Sequence, residues 1–156
     1  MEIKDIMRKP VTVDTETTLD EVARRMVDQE VGCVVVVNQR GMAQGVLTVR
    51  DFVPHDPANP FNPDLAHRVF GKSILKHGLE TLYREARILT AGKMMRPLNL
   101  VLAEDDPVER GVDIMLRHDI THVPVLRGHK AVGSVSRHDL LKVVLAVARP
   151  QEALAA

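Results

Sequence analysis

The sequence predicts a mixed α/β fold of the α+β kind: two β-α-β-β-α repeats packed sheet to sheet as a pseudo-two-fold pair. Three observations predict it. One residue pattern occurs twice along the 156 residues. Each copy places an amphipathic helical stretch before two β-branched runs joined by a glycine-containing turn. Neither copy alone can bury both faces of a three-stranded sheet, whereas two copies can cover one another. The copies span 1–53 and 90–150, with a connecting segment over 54–89 and a tail over 151–156.

The repetition is one of order and spacing more than of identity. The stretch IMRKPVTV from Ile6 aligns with MMRPLNLV from Met94, and GVLTVRDFV from Gly45 with GSVSRHDLL from Gly133, both 88 positions apart. Each copy opens with a short extended stretch, Val11 and Val13 in the first and Leu100 to Leu102 in the second. A helix follows. In the first copy Thr18 and Glu21 have the spacing of a capping box, and Leu19, Val22, Ala23 and Met26 recur on one helical face. In the second, Asp106 suits the cap, Pro107 the first helical position and Glu109 the third, with Val108, Val112 and Met115 on the apolar face.

Hairpins come next. The runs Cys33 to Val37 and Gly45 to Thr48 flank Asn38-Gln39-Arg40-Gly41, and His122 to Leu126 and Ala131 to Ser136 flank Arg127-Gly128-His129. A closing helix in the second copy has Leu140, Leu141, Val144, Leu145 and Ala148 on its apolar side. In the first copy Pro54 stands where that helix should continue. Pro57, Pro60 and Pro63 make the start of the connecting segment an extended loop, with short helices allowed over 64–70 and 79–88.

Composition narrows the functional classes. Lys plus Arg and Asp plus Glu both number 21, so the formal charge is zero; aromatic residues are 3% and tryptophan is absent. Neither the charge nor the stacking rings of a nucleic-acid reader are present. The single cysteine, Cys33, lies in an apolar run and reads as a small buried hydrophobe. No signal-peptide pattern follows Met1, and the apolar stretch from Leu140 to Ala148 is too short to span a bilayer. The expectation is a cytoplasmic protein without membrane or nucleic-acid partners. His118 and His122 are four apart but flank a turn, and His55, His67 and His77 lie in the connecting segment, so no metal site is expected. No nucleophile-elbow pattern accompanies the Ser, His and Asp residues, so no catalytic residues and no enzymatic activity are expected.

The spacing Gly-x-x-Ser/Thr-x-x-Asp carries readable chemistry. Gly45 and Gly133 permit close backbone approach. Thr48 and Ser136 end a strand beside the N–H groups of a following helix, where phosphate is favoured, and Asp51 and Asp139 have acceptor sites for both hydroxyls of a ribose. The plainer alternative is an ordinary helix cap.

On these residues the chain resembles the CBS domain, the repeat named after cystathionine β-synthase. The resemblance rests on DIM at Asp5 to Met7 with Pro10, the helix ending at Met26 and GVLTVRD at Gly45 to Asp51. In the second copy it rests on KMMRP at Lys93 to Pro97, THVPVL at Thr121 to Leu126 and GSVSRHD at Gly133 to Asp139. It implies tandem repeats that bind an adenosine-containing ligand (AMP, ADP, ATP or S-adenosylmethionine) in clefts between the repeats, with no cofactor, and that dimerise. The implied base-contacting positions are Val11 and Thr12 with Cys33, Val34 and Val35, and Asn99 and Leu100 with His122, Val123 and Pro124. Arg50, Arg137 and His138, inside the two motifs, are candidates for phosphate contact or simply solvated helix starts. The functional expectation is a regulatory adenine-nucleotide sensor acting on a separate effector protein. The alternative is a ligand-free dimerisation scaffold.

Overall fold

The structure, a computed structural model, describes residues 1–52 and 86–152, with side chains of the last helix described through Val147. The expected helix over 64–70, the part of the one over 79–88 that precedes residue 86, and the consequences of Pro54 lie outside the described residues.

The described residues form two compact units, Val11–Leu98 and Met1–Pro10 with Asn99–Ala156. These units do not coincide with the repeats as they run in sequence: the opening of each copy, residues 1–10 and 90–98, belongs to the unit built on the other copy's hairpin.

In the first of these units, β1 (Thr12–Asp14) pairs in parallel with β2 (Cys33–Val37), β2 pairs antiparallel with β3 (Ala43–Thr48), and β3 pairs antiparallel with β4 (Arg96–Pro97). Helix α1 (Leu19–Asp28) crosses between β1 and β2; α2 (Val49–Phe52) leaves β3, and α3 (Ala91–Met94) precedes β4. The core gathers Val13, Leu19, Val22, Met26, Val34, Val36, Leu47, Ala91 and Met94. Of the helical face read from the sequence, Leu19, Val22 and Met26 are in this core, and Ala23 is half-buried beside them.

The other unit repeats the plan. Helix α4 (Val108–Arg117) precedes the antiparallel pair β5 (His122–Arg127) and β6 (Lys130–Ser136), and α5 (Leu141–Glu152) closes it. Single bridges flank the hairpin, Leu102 to Val125 in parallel and Arg8 to Ser134 antiparallel. A 3₁₀ turn, Ile3–Asp5, brings Ile3 and Ile6 into a core with Leu102, Val108, Met115, Val123, Val125 and Val135.

Topology explains why the openings are exchanged. The four-stranded sheet has the order β1-β2-β3-β4, so β4 lies three strand spacings, about 14 Å, from β1. Only four residue steps separate Arg8 from Thr12, roughly 13 Å when fully extended, with no length left to turn around the sheet. The opening of a copy therefore cannot pair with the far edge of its own hairpin. Residues 96–97 take that edge in one unit, and Arg8 takes it in the other.

Both hairpin turns follow their sequence signals. Gly41 and Gly128 have φ of 73° and 60°, the left-handed backbone that glycine adopts without strain. The expected helix caps differ. Thr18 precedes α1 but makes no cap hydrogen bond; its hydroxyl donates to Asp20 Oδ1 instead. Asp106 closes a turn by accepting from Ala103 N at 2.8 Å, which leaves Pro107 as the cap residue of α4. In α5 the packed residues are Leu140, just before it, and Val143. Leu141, Val144 and Leu145, expected on the packed side, are exposed.

Candidate functional site

Each unit turns from its outer hairpin strand toward a helix at a corner carrying a hydroxyl and a carboxylate. At the first corner Asp51 Oδ2 accepts from Thr48 N at 2.7 Å and from Thr48 Oγ1 at 3.1 Å. At the second, Asp139 Oδ2 accepts from Ser136 N at 3.0 Å and from Ser136 Oγ at 2.7 Å. Asp139 N in turn donates to Ser136 Oγ at 3.3 Å, so this corner is a reciprocal capping arrangement. The ordinary cap is thus realised in the structure.

Each carboxylate has a further partner that the sequence reading missed. Arg96 Nε lies 2.9 Å from Asp51 Oδ1, and Arg96 Nη2 donates to Thr48 Oγ1 at 3.1 Å. Arg8 Nε donates to Asp139 Oδ1 at 2.6 Å, and Lys142 Nζ stands 3.5 Å from the same oxygen. Arg8 and Arg96 hold the same place in IMRKP and MMRP. That repetition was the available signal; what hid it was that each arginine serves the other copy's motif.

The motif glycines deliver these arginines. A Cβ on Gly45 would lie 2.6 Å from Met95 Sδ and 2.8 Å from Arg96 O; one on Gly133 would lie 2.5 Å from Met7 Sδ and 3.2 Å from Arg8 O. The bare backbone lets Met95 and Met7 seat, and the next residue reaches the corner. Close backbone approach was the role expected of both glycines.

The two corners are electrostatically unlike. Both carboxylate side chains are only 1% exposed, but Arg96 is 32% exposed and Arg8 49%. Burial pushes the Asp51 carboxyl above the usual aspartate range, against the opposing pull of Arg96 and Thr48. Leu19, Leu47, Phe52 and Met94 line the apolar space beside it. At Asp139 burial pushes the same way, but Arg8 and Ser136 together outweigh it and hold that carboxyl below the usual range.

Of the residues assigned to base contact, Cys33 stands opposite Thr48 and His122 opposite Ser136 in the strand registers, so each reaches its corner. Burial raises the Cys33 thiol to about 12. Burial also lowers the His122 imidazole; Asp139 opposes that shift and Arg8 reinforces it. His122 Nδ1 is 2.9 Å from Thr121 Oγ1. Val34, Val35, Val123 and Pro124 are buried strand residues, whereas Thr12 and Asn99 are exposed and Val11 and Leu100 half-buried. Val11 offers its carbonyl to Val35 N at 2.9 Å.

The phosphate candidates divide. Arg137 is drawn away from the corner, donating to Ile120 O at 3.0 Å, Met115 O at 3.3 Å and Asp119 Oδ1 at 3.0 Å, where it ties down the end of α4. His138 is exposed and Arg50 half-buried. Among the described residues no three His, Cys, Asp or Glu side chains gather as metal ligands, and no helix is long and apolar enough to cross a membrane.

The fold and its paired corners define a tandem-repeat α/β protein in which a hydroxyl and a buried carboxylate recur at equivalent strand-to-helix junctions. The CBS domain family model matches residues 3–56 and 91–146, and the chain belongs to the CBS domain family. Its fold is similar to that of the CBS domain of a CBS domain containing membrane protein from Sphaerobacter thermophilus, at 36% identity and TM-score 0.68, covering 91% of this chain and 86% of that one. Two more distant structures share the fold. A CBS domain protein from Pyrobaculum aerophilum, complexed with AMP, is 22% identical with TM-score 0.66, over 96% of this chain and 99% of that one. The CBS domain pair of protein MJ0100, complexed with 5′-methylthioadenosine and S-adenosyl-L-methionine, is 20% identical with TM-score 0.67, over 94% of this chain and 97% of that one.

Proposed function

We propose that this chain is a regulatory, non-catalytic module that binds an adenosine-containing ligand at its Ser/Thr–Asp corners. The observation that carries the proposal is the recurrence, in both units, of a strand-end hydroxyl beside a carboxylate that is itself 1% exposed. A sheltered carboxylate binds vicinal hydroxyls more strongly than a solvated one, because water competes less for it. The ligands of the two distant relatives, AMP in one and 5′-methylthioadenosine with S-adenosyl-L-methionine in the other, support the adenosine class. Thr48, Asp51, Ser136 and Asp139 are the ribose-binding groups in this reading. Cys33 and His122 flank the base, and the backbone of Val11, Val34, Val123 and Asn99 completes its surroundings. A cytoplasmic setting, a homodimer and a separate effector protein belong to the same proposal.

Binding only to the folded state raises its unfolding midpoint, by about 2.7 kcal/mol of stability at a hundredfold excess over Kd. A thermal-shift screen with AMP, ADP, ATP and S-adenosylmethionine therefore tests the reading. A rise with at least one compound, lost in the Asp51→Ala/Asp139→Ala double variant, is the expected result. Equal shifts in both proteins remove the assignment of the corners.

A second reading, the ligand-free scaffold, is favoured by a separate observation. Leu141, Val144, Leu145 and Val147 on α5 are 53%, 62%, 65% and 69% exposed. A midpoint that no adenosine compound moves, together with a dimer broken by Leu145→Glu, favours that scaffold.

A further inference from the structure

The carboxylates that the proposed ligand requires are already taken by the chain itself. A carboxylate offers about four acceptor sites. Asp139 uses Oδ2 for the Ser136 backbone and hydroxyl and Oδ1 for Arg8, with Lys142 nearby. Asp51 uses Oδ2 for the Thr48 backbone and hydroxyl, and its buried Oδ1 faces Arg96 Nε at 2.9 Å as an ion pair without the alignment of a hydrogen bond. A ribose diol has two donors to place, so some present partner has to yield.

We propose that Arg8 and Arg96 compete with the ligand, each holding its corner closed until ribose hydroxyls replace the guanidinium on the carboxylate. This rests on the adenosine-ligand reading above and adds the residues that set its affinity. The Thr48 and Ser136 donors cannot yield easily, because they sit three residues from their aspartates within one tight turn. The arginines can. Each comes from a segment remote in sequence, 131 residues away for Arg8 and Asp139. Each is also partly exposed, so a departing guanidinium moves into water at small cost. The recurrence is an independent argument. Arg8 pairs with Ser134 and Arg96 with Val46 in the strand registers, placing the same competitor at the same point of both units.

The test uses adenosine, an uncharged probe, so that a changed protein charge acts on the carboxylate pair and not on a phosphate. Calorimetry is run on the full chain, wild type, Arg8→Met and Arg96→Met, and on Arg8→Lys and Arg96→Lys, which keep the charge and lose the planar fork. Adenosine is expected to bind about 3- to 10-fold more tightly to each methionine variant, and by a smaller factor to each lysine variant. Binding to a variant when the wild type shows none supports the proposal equally. Affinity that is unchanged or weaker in the folded variants overturns the competition and leaves the ligand reading standing. Adenosine bound by none of the proteins overturns the competition, and the thermal-shift screen decides the ligand reading separately. Where a methionine variant does not fold, the lysine variant at that position decides.

Discussion

Arg8 Nε stands 2.6 Å from Asp139 Oδ1 across 131 residues of sequence. Arg96 and Asp51 repeat that relationship at 2.9 Å in the other unit. The opening of each copy completes the corner of its counterpart, so neither repeat as read along the sequence contains its own arginine partner.

Gly45→Ala costs more stability than Gly133→Ala. The added Cβ at Gly45 meets the Arg96 carbonyl at 2.8 Å, and backbone cannot swing aside; at Gly133 the tightest neighbour is the flexible end of Met7, and the Arg8 carbonyl is 3.2 Å away. We expect about 2–3 kcal/mol for the first and about 1 kcal/mol for the second. Urea denaturation of the two variants checks the order, which equal midpoints contradict.

The corners respond oppositely to acid. Asp139 has a folded pKa below its unfolded value, so its contribution is present above the usual aspartate range, near 3.9, and disappears as pH falls through the folded value. Asp51 has a raised folded pKa, so its contribution is complete below that range and disappears as pH rises through the folded value. At pH 7 Asp139→Asn is therefore the more damaging substitution, by about 1 kcal/mol or more over Asp51→Asn, and the gap narrows toward pH 4. Denaturation midpoints of both variants at the two pH values measure it. A gap of the other sign at pH 7 contradicts the assignment.

Cys33 is closed to thiol reagents in the native protein. It is 3% exposed, and burial holds the thiol at about 12, so the reactive thiolate is scarce at neutral pH. Alkylation by iodoacetamide at pH 8 is expected only with the rate of unfolding, followed by mass spectrometry with and without urea. Rapid labelling of folded protein contradicts the burial of this corner.

Much of the fold was legible because it depends on local period. The Leu19, Val22 and Met26 stripe, both hairpins and their glycine turns follow from side-chain spacing within a few residues. The exchange of openings was not legible, because it arises from a sheet edge too distant for the adjoining chain to reach. The cores carry a trace of it in side-chain volume. Ile3 packs where a Cβ on Gly111 would come within 3.2 Å of its Cδ1, while the equivalent places in the other unit hold Ala91 and Val22. A large residue on the opening is matched by a small one on the helix, and the reverse. At the corners, the hydroxyl and carboxylate were readable from spacing, but their arginines were not. The diversion of Arg137 to the end of α4 depends on the carbonyls of Met115 and Ile120, which no side-chain motif announces.

A double-mutant cycle between Arg8 and Asp139 measures the exchanged contact most directly, using urea unfolding of the wild type, Arg8→Met, Asp139→Asn and the double variant. A coupling of about 1–3 kcal/mol at pH 7 is the predicted result. Coupling indistinguishable from zero would mean that the first copy's opening does not hold the second copy's corner, contrary to the arrangement described.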